Sequence, residues 1–149
     1  MDVQGKVVVV TGAAGGIGRA LALALAEAGA AHVVCADIDA EGARQTAQAI
    51  GGTAMAVDMA SDADIRRLVT ETERDLGPIA LFCGNAGIMA RGGEELPDEV
   101  WQRMWDVNVM AHVRTARVLL PLMRERGAGH FLITASAAGL LNLSLIHIS

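Results

Sequence analysis

Two hydrophobic periods alternate along the chain. Short apolar runs at 6–11, 32–36, 53–57, 79–83 and 130–135 are bounded by Gly, Asp or Pro. Their length, and the valine content of the first two, predict strands buried on both faces. Between them the apolar residues return at helical spacing. Ile17, Leu21, Leu25 and Ala28 share one face of a helix that Gly29 ends. Ile65, Leu68, Val69, Thr72 and Leu76 form a second stripe, begun at Ser61 and stopped by Gly77 and Pro78. A third helix is expected over 98–124, with Asp98 as its start. Residues 40–50 carry a fainter helical pattern behind Asp39, a capping residue type.

Alternation of strand and helix implies parallel strands joined by right-handed crossovers, hence an α/β, doubly wound parallel sheet of Rossmann type. Ligands of such sheets bind beyond the carboxyl ends of the strands, where the strand order reverses. The loops that follow the strands are therefore where chemistry is to be sought. The length of 149 residues suits one domain.

Composition narrows the function classes. A net charge of −5 and scattered charges argue against nucleic acid, whose readers present a basic face. No apolar stretch approaches the roughly 18 residues that a membrane helix needs. The first residues show no signal peptide, and Cys35 and Cys83 lie inside apolar runs as reduced, buried thiols. A cytoplasmic protein is expected. His32, His112, His130 and His147 lack metal-ligand spacing, so no metal site is expected.

The first strand runs into Thr11-Gly12-Ala13-Ala14-Gly15-Gly16-Ile17-Gly18 and then a helix. Glycine leaves backbone open to close approach, and the helix start directs N–H groups and a positive dipole end at the loop. Together they suit a pyrophosphate; a ligand-free glycine turn has the same composition. The second strand ends at Asp37, 19 residues after Gly18. A carboxylate there can accept both ribose hydroxyls of adenosine and repels a 2′-phosphate, which selects NAD over NADP. A turn aspartate is the plainer alternative; Asp39 is the better helix cap and leaves Asp37 free. Asn108 is a poor residue for a helix interior, which implies a role offsetting the cost unless it is merely exposed. Ser136 ends the fifth strand, where serine is commonly a turn former; no nucleophile elbow surrounds it.

The spacing Gly12-x-x-x-Gly16-x-Gly18 departs from G-x-G-x-x-G and resembles the Thr-Gly-x-x-x-Gly-x-Gly motif of the short-chain dehydrogenases/reductases. Gly84-Asn85-Ala86-Gly87 is similar to that family's Asn-Asn-Ala-Gly signature, with Gly in first place. The resemblance covers residues 5 to about 141. It implies an NAD-dependent oxidoreductase that interconverts a small-molecule alcohol and carbonyl. Thr11, Gly12, Gly15, Gly16, Ile17, Gly18, Asp37, Asp58, Asn85, Ala86 and Gly87 are then the cofactor-binding residues, with Asp58 at the adenine amino group. Asn108 and Ser136 are the catalytic residues, one supporting a water in the proton relay, the other bonding the substrate oxygen. Trp101, Met104 and Trp105 form an apolar patch on the long helix that suits core packing or a subunit contact; the resemblance implies a homo-oligomer, since the family commonly dimerises through this helix.

The family's Tyr-x-x-x-Lys motif has no counterpart here: the chain has no tyrosine, and Lys6 is its one lysine. The resemblance places that motif near Ser149, so the sheet is read as incomplete on its C-terminal side and the chain alone as inactive. Residues 1–142 are read as the NAD-binding domain. Residues 143–149 break the Ala/Gly/Arg-rich style and resemble a translated sequencing adapter, so a non-native tail is expected. The alternative function is a non-catalytic dinucleotide-binding or interaction protein; retained Asn108 and Ser136 speak against it.

Overall fold

The computed structural model describes residues 2–136; the tail expected at 143–149 and the last residues of the 1–142 domain lie outside the described residues. The chain runs β1 (Val7–Thr11), α1 (Gly16–Glu27), β2 (His32–Asp37), α2 (Ala40–Ile50), β3 (Thr53–Ala56), α3 (Asp62–Asp75), β4 (Ile79–Gly84), α4 (Asp98–Trp105), a π-helical turn (Asp106–Met110), α5 (Ala111–Glu125) and β5 (His130–Ile133). All strands pair in parallel in the order β3-β2-β1-β4-β5. The order reverses between β1 and β4, which makes that seam the switch point of a Rossmann-like α/β sheet.

The pleat sends alternate side chains to opposite faces and so divides the core in two. Val9, Val34 and Phe82 pack with Ile65, Leu68 and Val69 of α3 and Leu119 of α5. Val8, Val10, Cys35 and Cys83 pack on the other face with Ala22 of α1 and Ala47 of α2. Burying each Val or Leu side chain is worth about 1.5–3 kcal/mol, so the central strands anchor the molecule. Cys35 and Cys83 each stand opposite Val10 on the two neighbouring strands. That puts them two strand spacings apart, roughly 9–10 Å, too far for a disulfide. Burial pushes both thiols up to about 11.

Local chemistry sets most boundaries. The Asp39 side chain accepts from Gly42 N at 3.1 Å and starts α2. Ser61 accepts from Asp64 N at 3.2 Å and starts α3. Gly29, at φ 85°, follows α1 as expected. Ile65, Leu68, Val69 and Thr72 are the buried stripe of α3.

Four expectations are corrected. β3 is an edge strand with mostly exposed side chains, not a strand buried on both faces, and among the described residues β5 is the other edge and is likewise mostly exposed, on the side where the sheet is read as incomplete. An edge strand has a neighbour on one side only, and strand order is not written in any single run. β5 stops at Ile133, two residues short of the expected end. Ile17 is 64% exposed rather than part of the α1 core stripe, where Gly18 and Ala22 are the buried residues. The third helix is interrupted by the π turn, and it starts behind Pro97, with Asp98 in its first turn rather than as its cap.

Candidate functional site

The loops after β1, β2, β4 and β5 converge at the switch point. Thr11, fully buried, ties two of them together. Its hydroxyl donates to Cys83 O at 3.2 Å and accepts from Asn85 N at 2.9 Å and Ala86 N at 3.0 Å. Asn85 answers with Nδ2 donating to Thr11 O at 3.2 Å, while its Oδ1 accepts from the Thr134 hydroxyl at 3.0 Å. The ends of β1, β4 and β5 are thus one hydrogen-bonded unit.

The glycines of the first loop divide into two kinds. A Cβ on Gly18 would lie 1.9 Å from Gly12 O, and one on Gly12 would lie 3.0 Å from the Ala86 Cα. These two are glycine because backbone passes against backbone there. Gly12 and Gly16 also hold positive φ, 69° and 50°. Gly15 and Gly16 face open space, with nothing within 4 Å of an added Cβ. They form a cradle over the start of α1, where the first-turn N–H groups have no helical partner. A phosphate fits this donor set.

Asp37 closes the other side of the loop. Its Oδ2 accepts from Ala14 N at 2.9 Å and its Oδ1 from Asp39 N at 3.0 Å. The expectation that Asp39 caps α2 holds, but Asp37 is not free. It anchors the glycine loop while each oxygen keeps a second lone pair for a ligand.

Asp58 lies across a small cavity of about 110 Å³, which Gly12, Asp37, Ile38, Val57, Arg103 and Val107 also line. Arg103 of α4 donates to both Asp58 oxygens, at 2.9 Å each, and Ala60 N donates to Oδ1 at 2.9 Å. The Arg103 guanidinium holds the Asp58 carboxyl below the usual carboxylate range against the opposing effect of burial, and the Ala60 N–H adds to the lowering. Sequence reasoning missed Arg103 and Ile38. Signals existed: Arg103 and Val107 are one turn apart, and Ile38 is a large apolar residue in an otherwise polar turn.

Asn108 sits in the π turn, and its side chain is spent on one backbone unit. Oδ1 accepts from Ile88 N and Nδ2 donates to Ile88 O, both at 2.9 Å. It pins the loop that carries Asn85, Ala86 and Gly87. Asp106, at the start of the turn, accepts from Gln102 and Arg114 at 2.9 and 2.6 Å, and Arg114 also donates to Ala60 O at 2.8 Å. A second cleft, of about 640 Å³, is lined by Ile17, Asn85, Met89, Asn108, His112 and Ser136, among others. Ser136 therefore stands in the same cleft as Asn108 and Asn85. Among the described residues no cluster of His, Cys, Asp or Glu could hold a metal, and no helix is long and apolar enough to cross a membrane.

A family model described as short chain dehydrogenase matches residues 6–147. The 1-deoxy-11-beta-hydroxypentalenate dehydrogenase of Streptomyces exfoliatus is 39% identical over 91% of this chain and 52% of its own length. A solved structure of a 7 alpha-hydroxysteroid dehydrogenase complexed with NADH and 7-oxo glycochenodeoxycholic acid superposes with a TM-score of 0.87 at 29% identity, over 95% of this chain and 57% of that one. Another, described as a ribose-5-phosphate isomerase from Brucella melitensis 16M, has a TM-score of 0.89 at 30% identity, over 95% and 55%. The chain spans about half the length of the curated relatives it matches. Neighbours so alike in backbone carry different activity names, so the reaction must be argued from the site.

The two kinds of glycine make opposite predictions. In the full-length protein, Gly18→Ala should cost about 1–3 kcal/mol or more in urea unfolding, because overpacking against a carbonyl outweighs the helix gain. Gly15→Ala should change stability by less than about 0.5 kcal/mol, yet weaken dinucleotide binding by filling the cradle. Equal stability loss in both variants would contradict the assignment.

Proposed function

The chain belongs to the short-chain dehydrogenase family, and on that premise we propose that the protein is an NAD-dependent oxidoreductase that interconverts an alcohol and a carbonyl. The observation that carries the NAD half is the Asp37 carboxylate. It sits at the end of β2, held against the glycine loop by Ala14 N, at the cavity that Asp58 and Arg103 share. A carboxylate accepts the two ribose hydroxyls well and repels a 2′-phosphate. In this reading the Gly15–Gly16 cradle and the α1 start hold the pyrophosphate. Asp37 holds the ribose, and the cavity beside Asp58 takes the adenine. When bound, the dinucleotide supplies or accepts the hydride.

The chain's own residues position and polarise. The Ser136 hydroxyl, in the cleft beyond β5, is assigned the hydrogen bond to the substrate oxygen. Asn108 is assigned the placing of the β4 loop, through Ile88, on the same cleft. The proton step is assigned to no residue here: the chain has no tyrosine, and Lys6 precedes β1 at the far end of the sheet. The buried, reduced thiols fit a cytoplasmic setting.

A homo-oligomer also belongs to this reading. Trp101, Trp105, Val109 and Val113 are exposed at four-residue steps along α4, the π turn and α5, forming one apolar stripe. Light scattering on the full-length protein should give a dimer or higher species that Trp105→Asp dissociates; a monomeric wild type would contradict this.

For Asp37→Ala in the full-length protein, the ratio of kcat/KM for NAD to that for NADP is expected to fall roughly 10- to 100-fold. That is the loss of hydrogen bonds to a charged group. An unchanged ratio would refute the role of Asp37.

A further inference from the structure

Gly84 stands where the related signature has asparagine, and the structure gives a use for the missing side chain. A Cβ on Gly84 would lie 2.7 Å from Nδ1 and 2.9 Å from Cε1 of His112. The imidazole, carried on the first turn of α5, occupies the space that a side chain at position 84 would need. From there it lines the cleft that also holds Asn85, Asn108 and Ser136.

The polar groups of that cleft differ in what they have left to give. Asn85 already bonds Thr11 O and the Thr134 hydroxyl. Each end of the Asn108 amide already holds Ile88, with one further hydrogen on Nδ2 and one further lone pair on Oδ1. Among the described residues the His112 ring neither donates nor accepts a hydrogen bond, although it is half-buried. Burial also holds its ring below the usual imidazole range, so the ring is neutral near pH 7, with one donor and one acceptor nitrogen. No Asp, Glu, Lys or Arg lines the cleft among the described residues, while Ile17, Ile88, Met89 and Ile133 offer it exposed apolar surface. A charged ligand would lose its hydration there without compensation. A ligand with an apolar body and an uncharged oxygen would not.

We infer that His112, seated by Gly84, is a substrate-contact residue whose imidazole hydrogen-bonds an uncharged hydroxyl or carbonyl oxygen of a mainly apolar substrate. The inference rests on the oxidoreductase reading and names the substrate class of the same site. It makes Gly84 and His112 one device, in which the absent side chain creates the polar contact.

The test uses the full-length protein with NADH and two sets of carbonyl compounds. Cyclohexanone and 2-decalone are uncharged; pyruvate and 2-oxoglutarate are charged. The wild type should oxidise NADH with at least one uncharged ketone and favour it over both keto acids. His112→Phe keeps a ring in the same space but has no nitrogen. It should raise KM for that ketone roughly three- to tenfold with kcat little changed, as loss of a neutral hydrogen bond requires. His112→Gln should recover part of the loss. Independently of any variant's folding, the His112 ring nitrogen resonances of the wild-type NADH complex should shift when the ketone is added. Preference for the keto acids, or a silent His112 resonance together with an unaltered His112→Phe, would overturn this inference alone. Absence of NADH oxidation with every compound, charged or uncharged, would overturn the oxidoreductase reading with it.

Discussion

The hydroxyl of Thr11 makes three hydrogen bonds across the switch point, and the site depends on them. β1 and β4 pair up to Val10 and Cys83, and beyond that pair the Thr11 hydroxyl joins the loops that follow them. A buried hydroxyl that donates once and accepts twice leaves no polar atom unpaired at the seam. Asn85 doubles the connection and extends it to Thr134 beyond β5. The glycine loop, the Asn85–Gly87 loop and the approach to Ser136 are thereby held in one frame. Cooperative hydrogen bonding of this kind gives rigidity in a part of the fold with little core of its own.

Glycine at 12 and 18 lets that frame close. With any side chain at Gly18, the Gly12 carbonyl would have to move, and with it the backbone that Thr11 fixes. Gly15 and Gly16 do not serve packing at all; their bareness faces outward. One short loop thus contains both glycines packed against backbone and glycines open to solvent. Asp37 works in both senses too, as an anchor for Ala14 and as a carboxylate with lone pairs to spare.

Features set by neighbours in sequence were legible from it. Asp39 and Ser61 cap helices through bonds that span three residues, and Gly29 follows α1 at positive φ. The strand–helix order followed from periodicity, and the doubly wound parallel class from that alternation. Features set by distant partners were not legible. Edge exposure of β3 and β5 depends on sheet order. The pairing of Asp58 with Arg103 joins residues 45 apart, and that of Asn108 with Ile88 joins residues 20 apart. Asn108, a poor residue for a helix interior, lies in the π turn rather than in regular α-helix. The π turn that accommodates it had no sequence signal beyond that one residue. What glycine at 84 makes room for depends on the distant His112 ring.

On the proposed reading these loops form a dinucleotide site whose charge selects the cofactor. Calorimetric titration of the full-length protein with NAD and with NADP, at one ionic strength, tests it most directly. NAD is expected to bind at least about tenfold tighter, since one carboxylate gains two hydroxyl partners from NAD and meets a phosphate in NADP. Equal affinities, or tighter binding of NADP, would contradict it.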